Sequence, residues 1–341
     1  MKGSQIILDH LNGREAAALM VDGKLEDLLV DADAPRPGTI YRAIADRPVK
    51  GQGGMFLKTP DGPAFLRQVK GLSPGQTILV QVTGYAEDGK AIPVTQKILF
   101  KSRYAIATPG APGRNISRSI RDDDVRDMLR GLVHEVMDED NSMGLILRSS
   151  CVEGDADEIA EDIAAMLSLA EQVAGDAQGP MEKLTDGDGP HLEAWREWAV
   201  DAEVVTDEGS FDTHGVLDAL EHVKDISVSL GGGASLFIEP TRALVAVDVN
   251  TGADTSPAAG LKANMATARE LPRQLRLRGL GGQITLDVAP MPKKDRRAFE
   301  SALRAAFRAD SIETTSVGWT PLGHFELQRK RARLPITEVL Q

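Results

Sequence analysis

Residues 243–252 read ALVAVDVNTG, a run of small and branched apolar side chains that reaches Asp248 and then breaks at Thr-Gly. Residues 281–291, GGQITLDVAPM, repeat the arrangement and reach Asp287. Apolar runs rich in β-branched residues and bounded by glycine or proline mark buried strands. SLFIEP (235–240) is a third strand of the same kind, and helical periodicity fills about 257–278 and 293–307. The order strand, strand, helix, strand, helix predicts an α/β arrangement, a parallel or mixed sheet with helices packed on it.

Each aspartate is thereby expected where a buried strand runs out. Two nearby carboxylates there cost several kcal/mol unless a cation compensates them. Hard oxygen ligands at strand C-termini suit Mg²⁺, or Mn²⁺, with water completing the shell. Asn250 returns to the face of Asp248 by the strand period of two. Such a site lowers the pKa of water and stabilises charge on a phosphodiester oxygen. The same pattern also suits two strand-end or helix N-cap aspartates. Between the strands, RELPRQLRLRGLGG (269–282) puts Arg269, Arg273 and Arg276 at i, i+4 and i+7 on one helix face. This is either a phosphate-holding stripe or a solvated basic face. LQRKRARLP (327–335) adds a second basic cluster with Arg329 and Arg331.

Further from this centre, QIILDHL and EAAALMV form a hairpin at Asn12-Gly13. Between 39 and 100 five short apolar strands, separated by turns, suit a small closed barrel of the oligonucleotide-binding kind. PGAPGRNISRSIR (109–121) is a basic loop, followed by an acidic-capped helix, the strand GLILRSS and an amphipathic helix over 156–174. QGPMEKLTDGDGP (178–190) reads as a linker. The net charge of −12 is unevenly distributed: residues 1–120 carry 16 basic and 11 acidic side chains, 121–260 carry 8 and 32, and 261–341 carry 15 and 8. The basic ends can meet a polyanion through local patches despite the sum. Cys151 stands alone, which excludes an internal disulfide and a multi-thiolate zinc site. No apolar run has membrane-spanning length and the N-terminus lacks a signal-peptide core, so no membrane partner is expected and the cytoplasm is the default.

Three ordered motifs, GGxxxFIEPTxALVAVDVNTG, RQLRLRGLGGQITLDVAPM and HFELQRKR, closely resemble the ribonuclease E/G family, which cleaves single-stranded RNA. The hairpin, the barrel, GRNISRSI and GLILRSS agree with the same family, so the resemblance covers most of the chain. It implies a multi-subdomain α+β and α/β fold. An RNase H-like subdomain is split between 1–34 and 186–225, with an S1 (OB) barrel at 35–100, a 5′-sensor-like region at 101–185 and a DNase I-like catalytic subdomain at 226–341.

Carried over by position, Asp248 and Asp287 match the metal-binding aspartates and Asn250 an asparagine of the catalytic centre. Phe56, Phe65 and Lys90 fall where the barrel contacts RNA, although core packing is the alternative for each phenylalanine. Arg148 and Ser149 match a pocket for a 5′-monophosphate, whose family glycine is replaced here at Ser102. The family's paired-cysteine zinc link cannot be supplied by one cysteine, so no structural zinc is expected, and any homo-oligomer must form by another route. The expectation is a Mg²⁺-dependent endoribonuclease leaving 5′-phosphate ends on single-stranded RNA products. The competing readings are a catalytically weak or inactive RNA-binding protein and an interaction subunit pairing through its acidic middle.

Overall fold

The computed structural model describes residues 3–49, 51, 53–138, 143–198, 201–256 and 258–340. It divides into two compact units, 1–32 with 201–341, and 33–200. The first unit opens with β1 (Ser4–Leu11), β2 (Arg14–Val21) and β3 (Lys24–Val30), an antiparallel meander. Both turns, Asn12-Gly13 and Asp22-Gly23, hold positive φ at their two central residues, as two-residue hairpins require. The expected hairpin is therefore a trio of strands, its second turn encoded in Asp-Gly.

In the second unit, β4 (Ile40–Val49), β5 (Gly54–Thr59), β6 (Gly62–Leu66), β7 (Thr77–Val82) and β8 (Ile92–Thr95) lie in the order β4-β5-β6-β8-β7. β7 also pairs with the first half of β4, closing a five-stranded barrel consistent with an oligonucleotide-binding fold. Strand alternation sends Met55, Leu57, Ala64, Leu66 and Val80 into its core.

The chain continues through β9 (Phe100–Lys101), β10 (Ala105–Thr108), β11 (Gly113–Ile116), α1 (Asp123–Val136) and β12 (Gly144–Leu147). These strands form a sheet ordered β11-β12-β10-β9. α1 and α2 (Ala156–Gly175) bury Leu129, Val133, Ile159 and Ile163 with Leu145 and Leu147 of β12. Asp122 caps α1 by accepting from the amides of Asp124 and Val125. The stretch expected as a linker contributes β13 (Glu182–Thr185), which pairs with β4. A buried cation explains the order there. Arg42 is 2% exposed, and its guanidinium donates to the carbonyls of Asp176 and Pro180 and to Glu182. The unit ends on α3 (Pro190–Glu197).

The first unit resumes with β14 (Glu203–Val205), parallel to β1, then α4 (Ser210–Thr213) and α5 (Val216–Lys224). Residues 186–225, expected as one piece, are thus shared between the two units. There follow β15 (Ser227–Gly231), β16 (Ala234–Pro240), β17 (Val245–Asn250), α6 (Ala259–Leu277), β18 (Gly282–Asp287), α7 (Arg296–Ala309), β19 (Thr314–Trp319), β20 (Phe325–Arg329) and α8 (Ile336–Val339). The six strands order as β15-β16-β17-β18-β20-β19, and only β17 and β18 pair in parallel, joined through α6. Leu236, Ile238, Val247, Ile284, Leu286 and Leu327 pack against Leu271 and Leu275 of α6 and Phe299 and Leu303 of α7. No helix among the described residues is long and apolar enough to cross a membrane.

Candidate functional site

β17 and β18 are in a register that sets Asp248 directly beside Asp287. Adjacent strands lie about 4.8 Å apart, and residues paired in register share a face. On β17 the burial alternates strictly: Val245, Val247 and Val249 are buried against the helices, while Asp248 and Asn250 are exposed on the opposite face. β18 repeats the alternation, with Ile284 and Leu286 inward and Asp287 outward. The apolar run before each aspartate therefore lines a one-sided sheet, not a strand buried on both faces. The carboxylates are not buried as the sequence suggested; the Asp287 side chain is 66% exposed.

Asn250 stands where the period of two placed it, and its Nδ2 donates to Asp248 Oδ2 at 2.7 Å. The sequence reading missed His324, just before β20. Its Nδ1 is enclosed, makes no hydrogen bond among the described residues and lies 3.4 Å from Asp287 Oδ1. The signal was present in HFELQRKR, where the first residue adjoins the strand next to β18. Phe237 of β16 pairs with Asp248 on the other side. Among the described residues Asp248 makes no ion pair, and no three His, Cys, Asp or Glu side chains gather as a ready metal cage. Two carboxylates with an amide beside them nevertheless form a fitting donor set for Mg²⁺, which takes few protein carboxylates and keeps several waters.

Backbone contacts fix the two strand ends. Asn264 of α6 is fully buried; its Nδ2 donates to Ala289 O at 2.8 Å, and its Oδ1 accepts from Ala289 N at 2.9 Å. That reciprocal pair ties the segment two residues beyond Asp287 to the crossover helix. Gly260 lets α6 approach the same segment, since a Cβ there would collide with the Pro290 carbonyl oxygen. Gly252 has φ +63 and abuts Gly233, which holds the loop after Asn250 against the β15–β16 turn.

The arginine stripe has a different fate from the one expected. Arg269 is exposed. Arg273 donates to Leu25 O at 2.8 Å and pairs with Glu270, and Arg276 reaches Glu26 at 2.8 Å and Asp310 at 2.6 Å. Arg329, expected to clamp RNA, is 1% exposed and donates to Asp310 at 3.2 Å and Thr314 at 2.7 Å. The helix face that carries Arg273 and Arg276 packs on β3, so these charges meet acids of the chain, the buried Asp27 and Asp310 and the partly exposed Glu26 and Glu270. Arg333 completes the network on Asp27. Burial alone would raise the Asp27 pKa, but Arg333, then Arg276 and the Leu28 amide, hold it below the usual carboxylate range. Arg331 lies partly buried over Gly282, whose missing side chain makes room for its guanidinium.

In the barrel, Phe56 and Phe65 pair across β5 and β6 with ring centroids 5.3 Å apart. Both are half-buried on the outer face, opposite the core residues Met55, Leu57, Ala64 and Leu66, so core packing is not their role. Gly54 leaves room for the Phe65 ring, and the Arg47 guanidinium, unremarked in the sequence, stands 5.0 Å over Phe56. Lys90 lies in the turn before β8 and pairs with Glu87 at 2.7 Å.

Arg148 and Ser149 follow β12. Ser149 is exposed, whereas Arg148 is engaged: it donates to Glu197 at 2.8 Å, to Ser102 O and to Arg196 O. Glu197 also binds Lys101 at 2.6 Å and Arg196 at 2.7 Å. Burial would raise its pKa, but Lys101 and then Arg148 outweigh that and bring it down to about 2. A carboxylate of the chain itself therefore occupies the guanidinium that was expected to read a terminal phosphate.

The sequence model of the ribonuclease E/G family matches residues 100–197 and 191–332. Ribonuclease G of Salmonella typhimurium and ribonuclease G of Escherichia coli K12 are each 27% identical, over 98% of this chain and 81% of their own length. Ribonuclease E of Synechocystis is 27% identical over 93% of this chain and 55% of its own length. The match spans the register-paired aspartates, the crossover helix between them and the Arg148 segment, and the chain belongs to the ribonuclease E/G family.

Proposed function

We propose that this chain is an endoribonuclease that hydrolyses single-stranded RNA in a Mg²⁺-dependent reaction at Asp248 and Asp287, leaving 5′-phosphate ends. The observation that carries this reading is the in-register pair of carboxylates on the open face of the sheet, which no lysine or arginine among the described residues pairs with. Two adjacent like charges repel, and a divalent cation removes that penalty. Bound there, Mg²⁺, or Mn²⁺ in its place, supplies Lewis-acid stabilisation of charge on a phosphodiester oxygen and acidifies water for attack on phosphorus. Asn250 orients Asp248 through its amide N–H and keeps its amide oxygen for a hydrated ligand or the substrate. Asn264 holds the strand end that presents Asp287.

RNA would be held by stacking on Phe56 and Phe65, with Arg47 and Lys90 as charges near the same barrel. Arg269 and Arg331 remain candidate phosphate contacts, while Arg273, Arg276 and Arg329 serve the buried ion-pair network. Arg148 and Ser149 have the chemistry for a 5′-monophosphate, but the phosphate must displace Glu197, so 5′-end dependence is expected to be weak. No structural zinc is required by this reading, and oligomers by another route are compatible with it.

The test is incubation of a short single-stranded RNA with Mg²⁺ or EDTA, followed by end analysis. Magnesium-dependent cuts with 5′-phosphate downstream products are expected. Cleavage that persists in EDTA with 2′,3′-cyclic phosphate ends would overturn the metal reading.

A further inference from the structure

The basic helix face that the sequence suggested on α6 has a counterpart on α1. Arg126 and Arg130 recur at i and i+4 and face the basic strand β11. Between α1 and β11 lies a cavity of about 620 Å³ lined by Arg114, Arg118, Arg126 and Arg130. No described carboxylate lines it. Its floor is apolar, formed by Ile116, Val133 and Leu145. β11 is an edge strand: it pairs in parallel with β12 on one side and with no other described strand.

Among the described residues, the arginines are held mainly by carbonyl oxygens and not by carboxylates. Arg126 donates through Nη1 to the carbonyls of Ser117 at 3.2 Å and Ile120 at 2.9 Å. Arg114 donates through Nη2 to the carbonyls of Met137 at 3.1 Å and Asp138 at 2.6 Å. Carbonyl oxygens orient a guanidinium without neutralising it, and each guanidinium has five N–H donors in a fork that matches phosphate oxygens. Arg118 is exposed and has no hydrogen bond or ion pair among the described residues. Among the described residues only Arg130 of the four meets a carboxylate, that of Asp127.

We infer that this groove is a second RNA-binding site, which grips the phosphate backbone of a short single-stranded segment while a base rests on the apolar floor. Four guanidiniums against one carboxylate among the described residues suit a polyanion, and the size suits a few nucleotides and not a duplex. Asn115, exposed on β11, offers an amide beside the open strand edge for a base. The inference rests on the ribonuclease reading only for the choice of RNA as the polyanion. The groove belongs to the unit that does not carry Asp248 and Asp287.

The test is binding of a fluorescent 5′-hydroxyl single-stranded RNA in EDTA, where cleavage is silent, across a series of salt concentrations. The proteins are wild type, Arg118→Ala with Arg130→Ala, the corresponding double lysine variant, and Asp248→Asn. Each phosphate contact to a single strand contributes about 0.7 to the slope of log affinity against log salt. The double alanine variant should bind roughly tenfold more weakly, with a slope smaller by about 1.4, and the lysine variant should regain most of the slope. Asp248→Asn should bind like wild type. Both arginines are exposed, so melting temperatures should stay close, and Arg118→Ala alone provides the same reading with half the slope change. An unchanged slope in the alanine variants, in a protein that still binds and cleaves RNA, overturns the groove. A wild type that neither binds nor cleaves RNA overturns the ribonuclease reading together with it.

Discussion

Asn264 shows how one buried amide serves a site it does not touch. It satisfies both backbone groups of Ala289, and Asn264→Ala would leave them unpaired in the interior, at a cost of about 3 kcal/mol in urea unfolding. Cleavage should fall more than RNA affinity, because the end of β18 loses its anchor while the binding surfaces remain. Glu197 makes the second prediction at this scale. Its pKa is lowered from the ordinary 4.5 to about 2, so its contribution to stability is fully present above pH 4.5 and is lost as pH falls toward 2. Glu197→Gln should flatten that part of the melting-temperature profile. With Glu197 in place, 5′-hydroxyl and 5′-monophosphate substrates should be cut at roughly equal rates; Glu197→Gln should shift the ratio toward the monophosphate. None of this was legible in RSS alone, since the helix that carries Glu197 lies far along the chain.

Among the elements, α6 is the one whose sequence misled most. Its arginines at i, i+4 and i+7 read as a phosphate-holding stripe or a solvated basic face, but β3, hidden behind an Asp-Gly turn, covers the side that carries Arg273 and Arg276 and supplies Glu26 and Asp27. Gly279 and Gly281 stand where the backbone at Leu334 and Lys330 passes too close for a side chain, and Gly282 leaves space that the Arg331 guanidinium fills. Asp310 is the shared partner of Arg276 and Arg329 and is fully buried. Asp310→Ala should cost about 3–5 kcal/mol, as removing one member of a buried ion cluster leaves the others uncompensated. By contrast, β17 and β18 were legible, because apolar runs rich in β-branched residues and bounded by glycine or proline admit little else, although the exposure of their aspartates was not. Period-two burial on one side of a sheet requires only alternate residues to be apolar, and Ala246 and Thr285 completed runs that looked buried on both faces. In the barrel, Phe56→Ala and Phe65→Ala should each weaken RNA binding by about 1–3 kcal/mol with little loss of stability, measured by anisotropy in EDTA and by thermal melting.

At the scale of the molecule, the acidic total charge conceals two groups of arginines with different surroundings. One set of arginines is consumed in fastening the C-terminal sheet to the N-terminal meander, and another, on α1 and β11, is left facing a groove. The sequence could show where charge accumulates but not which charges find partners, because Glu26 and Asp27, which join Glu270 and Asp310 in pairing with Arg273, Arg276 and Arg333, come from more than two hundred positions earlier. The barrel and the strand–helix–strand order around Asp248 and Asp287 needed only local patterning, whereas the division into units depended on contacts between distant segments. The claim that joins these parts is that the register-paired aspartates perform the cleavage and not the binding. The most direct measurement is a side-by-side determination of Mg²⁺-dependent cleavage rate and RNA affinity for wild type and Asp248→Asn. Loss of at least about a hundredfold in rate, with unchanged affinity in EDTA and unchanged melting temperature, is the expected result. Equal cleavage by both proteins at equal affinity would contradict it.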